Sequence, residues 1–564
     1  MFESLSEKQR EIVFDKSGKF VVRACPGSGK TYCVSSRLAR LILDWKNDYT
    51  GIAAVSFTNV AWQEIQKKIF NEFKLGDTIS FPHFLGTIDS FINKYIFLPH
   101  GHLILKCKKR PTLVGEPHGI WTGKYFSDSL FDNISYKIDG TLYAINDHVM
   151  RNNWYTNDKI ISSKKNINKS GYATQSDANY FAMKILEKFP QIAKSIALRF
   201  PYLIVDEAQD TSDIQMRIID LLIENGLSEV MLVGDPDQAI FEWNEARPDL
   251  LNEKFNTWED SVVLNENHRS SQLICNYTFN ISSLPEASTA VSDVKDFTHQ
   301  PRVIIYNNNL PEIIRDFITE CEQNGIVASE ESIAVIYRSK NLVNDITGIP
   351  EIPYDGSPWV AQDNYTKDFA KGKFLYDNGD FKGGFKAIEK AILKQVNNIP
   401  FCTEESIDKM IQKLGFVKFK SLVYEFINLL PKTNITLGQW IDSTNKVLTQ
   451  NNLKFQLSIK NVGKDYTFKQ VFLNDKEKIV NRNYRLGTVH SVKGETFNAT
   501  LLVIKDRCAT NTKYSNLLFP KKQLKPKEME ELRIAYVGMT RPRKILVIAV
   551  PNEENKKAWE TKLK

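Results

Sequence analysis

Residues 20–45 read FVVRACPGSGKTYCVSSRLARLILDW. An apolar run of strand character ends in the turn Ala24-Cys25-Pro26-Gly27-Ser28-Gly29-Lys30-Thr31, and a helical pattern follows at once. A glycine-rich loop between a strand and a helix turns successive backbone N–H groups inward around a phosphate, and the helix N-terminus adds its dipole. Lys30 then reaches the β- and γ-phosphates, and the Thr31 hydroxyl suits Mg²⁺. The strict pattern has glycine where Ala24 stands, so the match departs by one residue.

The complement of this loop lies at 201–210, PYLIVDEAQD, where an apolar strand ends in Asp206-Glu207. Mg²⁺ keeps most of its waters and needs one or two carboxylates, which makes Asp206 its natural partner. Glu207 beside it can orient and deprotonate an attacking water. Adjacent acids after a strand are common in turns; together with the loop at Lys30 they describe a nucleoside triphosphatase.

Outward from these two segments, short apolar strands recur with helical stretches between them. They are FVVRA (20–24), GIAAVSF (51–57), YLIVDE (202–207), EVMLVGD (229–235), SIAVIYR (332–338), ATLLVIK (499–505) and KILVIAV (544–550). Continuous apolar strands linked by helices predict parallel α/β sheets, and two sets of them predict two sheets. Two longer regions without that rhythm are expected to be mainly helical insertions. The domain expectation is therefore a first sheet domain at 1–91 and 196–272, with an insertion at 92–195. A second follows at 273–350 and 479–564, with a reduced insertion at 351–478.

Composition sets outer bounds. At 564 residues the chain exceeds one core, and 42% hydrophobic with 25% charged residues is ordinary for a globular protein. The net charge of +7 is compatible with nucleic acid but weak as an argument at this length. The N-terminus MFESLSEKQREIVFDK has no apolar signal core, and no apolar strand approaches the roughly 20 residues of a membrane span. The seven cysteines are scattered, with no C-x-x-C pair. The expectation is a cytoplasmic protein with no membrane partner, disulfide framework or zinc site.

Further motifs lie in order along the chain. They are Gln9 in LSEKQREIV, AVSFTNVAWQEI (54–65), LGTIDSF (85–91), DEAQDTS (206–212), VGDPDQAIFEW (233–243), LNENHRSS (264–271), IYRSK (336–340), TVHSVKGETF (488–497) and AYVGMTRPR (535–543). With the phosphate loop, this set resembles the UvrD/Rep-like group of superfamily 1 DNA helicases from end to end.

The resemblance implies two RecA-like parallel-sheet motor domains, each with a mainly helical insertion, using ATP and Mg²⁺. It implies an adenine-reading Gln9, with Tyr32 and His268 flanking the base. It implies a nucleotide site of Ala24, Cys25, Pro26, Gly27, Ser28, Gly29, Lys30, Thr31, Arg269, Glu495 and Arg541, with Gln238 sensing the γ-phosphate. Phosphoryl transfer builds charge on the γ-oxygens, and the candidates to neutralise it are Arg269 and Arg541. A track for single-stranded DNA is implied at Phe57, Thr58, Asn59, Trp62, Thr87, Phe91, Phe241, Trp243, Arg338, Ser339, His490 and Lys493. Aromatics beside polar and basic groups suit unpaired bases and phosphates. Taken singly, Phe57 and Phe91 are more often core residues than base platforms.

The pattern is not followed everywhere. Tyr32 and His268 stand where the family often has Arg and Tyr, and Asn244-Glu245 follow Trp243 where it often has Arg. Glu495 falls one position earlier than in the commoner K-G-L-E order. The segment between Arg338 and His490 is short for the family, and the chain ends 14 residues after Val550, so a C-terminal nuclease or partner-binding extension is not expected.

The first functional expectation, as the resemblance implies, is an ATP-dependent translocase or helicase with 3′→5′ polarity, acting on single-stranded or tailed double-stranded DNA, with ATP hydrolysed at the cleft between the two RecA-like domains and Arg541 reaching it from the second. The second is a DNA-activated ATPase that senses or regulates and unwinds little itself. The trimmed chain also resembles the small UvrD-like subunit of the two-gene Gabija phage-defence system, which implies a nuclease partner. DNA repair and a plasmid or phage origin stay open beside it. Arg543, past Pro542, is expected at the surface or on a DNA phosphate.

Overall fold

The computed structural model describes residues 2–76, 79–115, 118, 134–144, 157–240, 246–307, 309–339, 342–347, 356–360, 363, 365–397, 402, 404–472 and 482–564. They form two compact units. One comprises Met1–Pro301, Arg507–Lys544 and Ala558–Lys564; the other comprises Arg302–Asp506 and Ile545–Lys557.

The first unit is built on a six-stranded sheet. Its strands are β1 (Lys19–Ala24), β2 (Ile52–Ser56), β3 (Phe84–Thr87), β4 (Tyr202–Val205), β5 (Glu229–Gly234) and β6 (Val262–Leu264). The order across the sheet is β6-β1-β5-β4-β2-β3, and every pairing is parallel. Parallel strands need helices on both faces, and the buried residues divide accordingly. Val21, Ala53, Val55, Leu203 and Leu232 join one core with Phe91, Phe97 and Ile219. Phe20, Val22, Ala54, Ile204 and Met231 join another with Val34 and Leu38 of the helix Lys30–Asp44.

Between β3 and β4 the chain makes helices Asn157–Lys169, Gln175–Lys188 and Pro190–Arg199 and a small antiparallel pair, Ile134–Tyr136 with Leu142–Ala144. This is the helical character expected of that segment.

The second unit contains β7 (Arg302–Ile305), β8 (Ile333–Tyr337), β9 (Arg485–Thr488), β10 (Phe497–Val503) and the end of β11 (Pro542–Val550), in the order β7-β11-β10-β8-β9. β7 with β11, β8 with β10 and β8 with β9 are parallel. Between β8 and β9 lie helices Thr366–Asp377, Phe381–Asn397, Glu404–Leu414, Phe416–Leu429 and Leu437–Gln450. They close over their own core, in which Trp440 and Ile388 are fully buried.

The seven strands read from the sequence are all present. Within the six- and five-stranded sheets, the four that were not are β3, β6, β7 and β9, which are the two edges of each sheet. Central strands are apolar on both faces and read as continuous runs, whereas these edges are three or four residues long. The helix that precedes the last strand runs Pro526–Met539. The strand after it starts at Pro542 rather than Lys544, so Arg543 is a strand residue.

Candidate nucleotide and single-strand site

In an all-parallel sheet the strands end along one edge, where the connecting loops meet and ligands bind. In the first unit, β1 runs into the phosphate loop, β4 into Asp206-Glu207 and β5 into Asp235. The loop after β6 carries Asn267, His268 and Arg269. The loop after β1 holds Gly27 at φ 75° and Gly29 at φ 76°, the left-handed region that glycine enters without a steric penalty. Gly27 is required for a second reason. A Cβ there would sit 2.7 Å from the Arg269 Cβ and 2.8 Å from Asn267 Oδ1. His268 N–H donates to the Gly27 carbonyl at 2.8 Å, so the arginine loop is laid directly on the phosphate loop.

Among the described residues, three buried groups of the site have no hydrogen-bond partner: the Ser28 hydroxyl, the Lys30 ammonium and both carboxylate oxygens of Asp206. Leaving such groups unmatched costs about 1–3 kcal/mol each, and more when they are charged. Lys30 Nζ lies 3.8 Å from Glu207 Oε1. Burial alone would depress the Lys30 pKa, but Glu207, Asp235 and Asp206 around it hold it above its ordinary value. Burial, and then the neighbouring charge of Glu207, push Asp206 up to about 7 in spite of Lys30. A cation and a hydroxyl without acceptors, beside a carboxylate without donors, are the demands that phosphate oxygens and a divalent metal meet. The Asp206 carboxylate therefore suits Mg²⁺.

Glu207 stands in the left-handed region at φ 54°, ψ 41°, unusual for a residue with a side chain. Its Oε2 accepts a hydrogen bond from Gln209 Nε2. Arg541 is 1% exposed. Its Nη2 donates to Gln238 Oε1 at 3.1 Å, and its Nε donates to the Val537 carbonyl at 2.8 Å. Burial, and then the charge of Arg269, lower its pKa to about 9, while Glu207 and Asp235 oppose the fall. Arg269 Nη1 donates to the Thr540 carbonyl at 3.0 Å, and burial lowers its pKa to about 10. Both guanidinium groups remain charged at neutral pH. Lys30, Glu207, Gln238, Arg269 and Arg541 are thus gathered in one unit.

The expected base-binding residues surround Gly29. A Cβ at that position would lie 2.9 Å from Gln9 Nε2, 3.9 Å from Tyr32 Cβ and 4.0 Å from His268 Cδ2. The Gln9 amide donates to the Ser28 carbonyl at 3.1 Å, and its Oε1 accepts from Ser6 N–H at 3.2 Å. Tyr32 lies nearly parallel to Phe73, with 6.5 Å between ring centroids. Ala24, Cys25 and Pro26 are buried beneath the loop, and burial pushes the Cys25 thiol up to about 12. Glu495 belongs to the second unit, where Arg485 Nε is 3.5 Å from its carboxylate.

Two family models match this chain. The UvrD/REP helicase N-terminal domain covers residues 5–109 and 140–258, and the UvrD-like helicase C-terminal domain covers 401–553. The chain belongs to the UvrD-like helicase family. That membership carries ATP-dependent DNA helicase activity.

The chain is 25% identical to Gabija protein GajB of Bacillus cereus (strain VD045), over 98% of this chain and 97% of that protein. It is 23% identical to a probable DNA helicase II homolog of Mycoplasma capricolum subsp. capricolum, over 79% of this chain and 59% of the relative. It is 27% identical to DNA helicase II of Haemophilus influenzae, over 49% of this chain and 40% of the relative.

Helicases of this kind also need a track for the strand. Thr58 and Thr87 each begin a helix, their hydroxyls accepting from Ala61 N–H at 3.2 Å and Ser90 N–H at 3.1 Å. Asn59 is exposed, and its Oδ1 accepts from Trp62 Nε1 at 3.0 Å. Phe57 is half-buried at the end of β2. Phe91 is a correction: it is 4% exposed and packs against Phe84, Tyr95 and Phe200, so its ring belongs to the core and offers no stacking face. Phe241, Trp243, Asn244 and Glu245 lie outside the described residues.

In the second unit Tyr337 pairs with Thr488, so Arg338-Ser339 and Val489-His490 leave two adjacent strand ends together. Lys493 follows in the same turn, its N–H bonded to the His490 carbonyl at 3.4 Å. Arg543 Nη2 pairs with Asp293.

Three residues of the site were not read from the sequence. Gln209 and Asp235 join the carboxylate loop to the loop after β5, and Asn267 Oδ1 accepts from both Arg269 N–H (2.8 Å) and Ser270 N–H (2.9 Å). Their only local signal is a polar residue close to a motif position, which does not separate a buried bridge from a solvated turn.

Proposed function

We propose that this chain is a 3′→5′ translocase and helicase on single-stranded and tailed DNA, driven by ATP hydrolysis at the Lys30–Glu207 site. The observation that carries the reading is the gathering of Lys30, Asp206, Glu207, Arg269 and Arg541 around one phosphate loop. Gln9, Tyr32 and His268 hold the base. Ser28, Lys30 and the loop N–H groups hold the phosphates, whose charge draws Lys30 away from Glu207. The freed Glu207 carboxylate orients the attacking water and takes its proton. Arg269 and Arg541 neutralise the charge that develops on the γ-oxygens. Mg²⁺, when bound with ATP by Thr31 and Asp206, adds further neutralisation of those oxygens. Arg338, Ser339, His490 and Lys493 grip the strand in the second unit; Thr58, Asn59 and Trp62 do so in the first.

The near full-length match to the Gabija protein is compatible with a place in antiviral defence, and we propose a nuclease as the partner there. Strand displacement on 3′-tailed and 5′-tailed duplexes tests the reading, with Lys30→Ala and Glu207→Gln as controls. Displacement of the 3′-tailed duplex alone is expected, abolished by either substitution, with ATP binding retained in Glu207→Gln. Displacement only from a 5′ tail reverses the polarity. DNA-stimulated ATPase activity without displacement selects a sensor subunit instead, and turnover surviving in both variants removes the site assignment.

A further inference from the structure

Four hydrogen bonds run without a break from Arg541 to Glu207. Arg541 Nη2 donates to Gln238 Oε1 at 3.1 Å, and Gln238 Nε2 donates to Asp235 Oδ2 at 2.6 Å. The backbone N–H of Asp235 donates to Gln209 Oε1 at 3.0 Å, and Gln209 Nε2 donates to Glu207 Oε2. The reading above gives Gln209 no task, yet this side chain is fully buried and fully engaged.

Its surroundings are shaped to it. Gly234, the last residue of β5, lacks a Cβ that would otherwise lie 2.4 Å from Gln209 Oε1. A neutral amide accepts from an N–H at its oxygen and donates to a carboxylate at its nitrogen whatever the pH, and asparagine is a methylene shorter. The two oxygens of Glu207 are thereby divided. Oε1 faces Lys30 at 3.8 Å, and Oε2 is held by Gln209. Without that hold, the attraction of the Lys30 charge turns the carboxylate onto the lysine and away from any water in front of it.

We propose that Gln209 is the positioning residue that aims the Glu207 carboxylate, and that the Arg541–Gln238–Asp235 chain sets its position. The arginine end of the site is then linked to the acid that activates water. The inference rests on Glu207 having that role.

The test measures steady-state ATPase activity with saturating single-stranded DNA for Gln209→Glu, Gln209→Met, Gln238→Ala and the double variant Gln209→Met/Gln238→Ala. Gln209→Glu keeps the acceptor half and loses the donor; Gln209→Met loses both at similar volume. Each is expected to lower kcat about 10–100-fold, as a misplaced catalytic group does, with KM for ATP within about threefold. In the double variant the losses should fall well short of multiplying, because both changes break one chain.

Unchanged kcat in both Gln209 variants overturns the proposal. So does a rise in KM alone, failure of both variants to fold, or losses that multiply in the double variant. If Glu207→Gln itself retains turnover, the role of Glu207 fails first. If Glu207→Gln is inactive while the Gln209 variants turn over normally, only the present inference fails.

Discussion

Glu207 concentrates two costs in one residue. Its backbone is left-handed, which disfavours any side chain by about 1–2 kcal/mol, and its carboxylate shares a buried site with Asp206. A strained backbone beside unmatched charges is the signature of a site shaped for chemistry rather than stability. Glu207→Gly should therefore be more stable than Glu207→Ala by about 1 kcal/mol, the reverse of the usual order, in urea denaturation without nucleotide. Equal midpoints would mean that the turn relaxes when the side chain is lost. Arg541 is the complementary case, a buried cation whose partners are neutral acceptors, Gln238 Oε1 and the Val537 carbonyl. Arg541→Ala should spare nucleotide binding and lower kcat by about 10³-fold or more, as loss of an arginine finger does. Binding of a fluorescent ATP analogue together with ATPase assays separates the two effects.

Asp89 ties three pieces of the first unit together. It follows the β3 end, and its Oδ1 accepts from Asn179 Nδ2 at 2.9 Å and Gln215 Nε2 at 2.8 Å. Gln215 also closes the capping box of the helix Asp213–Glu224, which follows the Glu207 turn. The candidate strand-gripping loop at 85–91 is thus braced against that helix and against the insertion helix Gln175–Lys188. Burial raises the Asp89 pKa, although the bonds from Asn179 and Gln215 and the nearby His118 oppose the rise. A carboxyl with a raised folded-state pKa gives its full contribution below the unfolded value, near 4, and loses it as pH rises through the folded value. Asp89→Asn keeps an oxygen for both donors and removes the charge. It should leave stability unchanged below about pH 4 and raise it near neutrality, measured by denaturation across pH. A loss near neutrality would mean that the charge itself is needed.

Each unit presents the C-terminal ends of parallel strands, and the candidate contacts with the strand that lie among the described residues, the buried Phe91 aside, sit at such an end or on the turn or helix that follows it. Among the described residues, no helix is long and apolar enough to cross a membrane. A track built from backbone-phosphate contacts predicts affinity for single-stranded DNA that falls log-linearly with salt, by about 0.7 per contact. Arg338→Gln should lower the slope by about that amount with little dependence on base sequence. An unchanged slope would take Arg338 off the strand.

The sequence by itself determined what contiguous residues encode. The phosphate loop at Lys30, the acid pair at Asp206-Glu207 and the seven central strands were legible because a loop conformation, a strand-end carboxylate and two-sided burial each leave a local signature. The family was legible because its motifs recur in order. Tertiary structure decided the rest, for reasons of contact rather than pattern. The four edge strands take their hydrogen bonds from one neighbour and are three or four residues long, too short to stand out as runs of their own. Phe91 joined the core because Phe84, Tyr95 and Phe200 close around it, and a lone aromatic in a motif does not reveal its packing. Gln209 became a bridge only because β4 and β5 lie side by side, bringing its amide to the Asp235 N–H 26 residues later. Arg541 reached Gln238 across 303 residues of chain, a meeting no sequence spacing encodes.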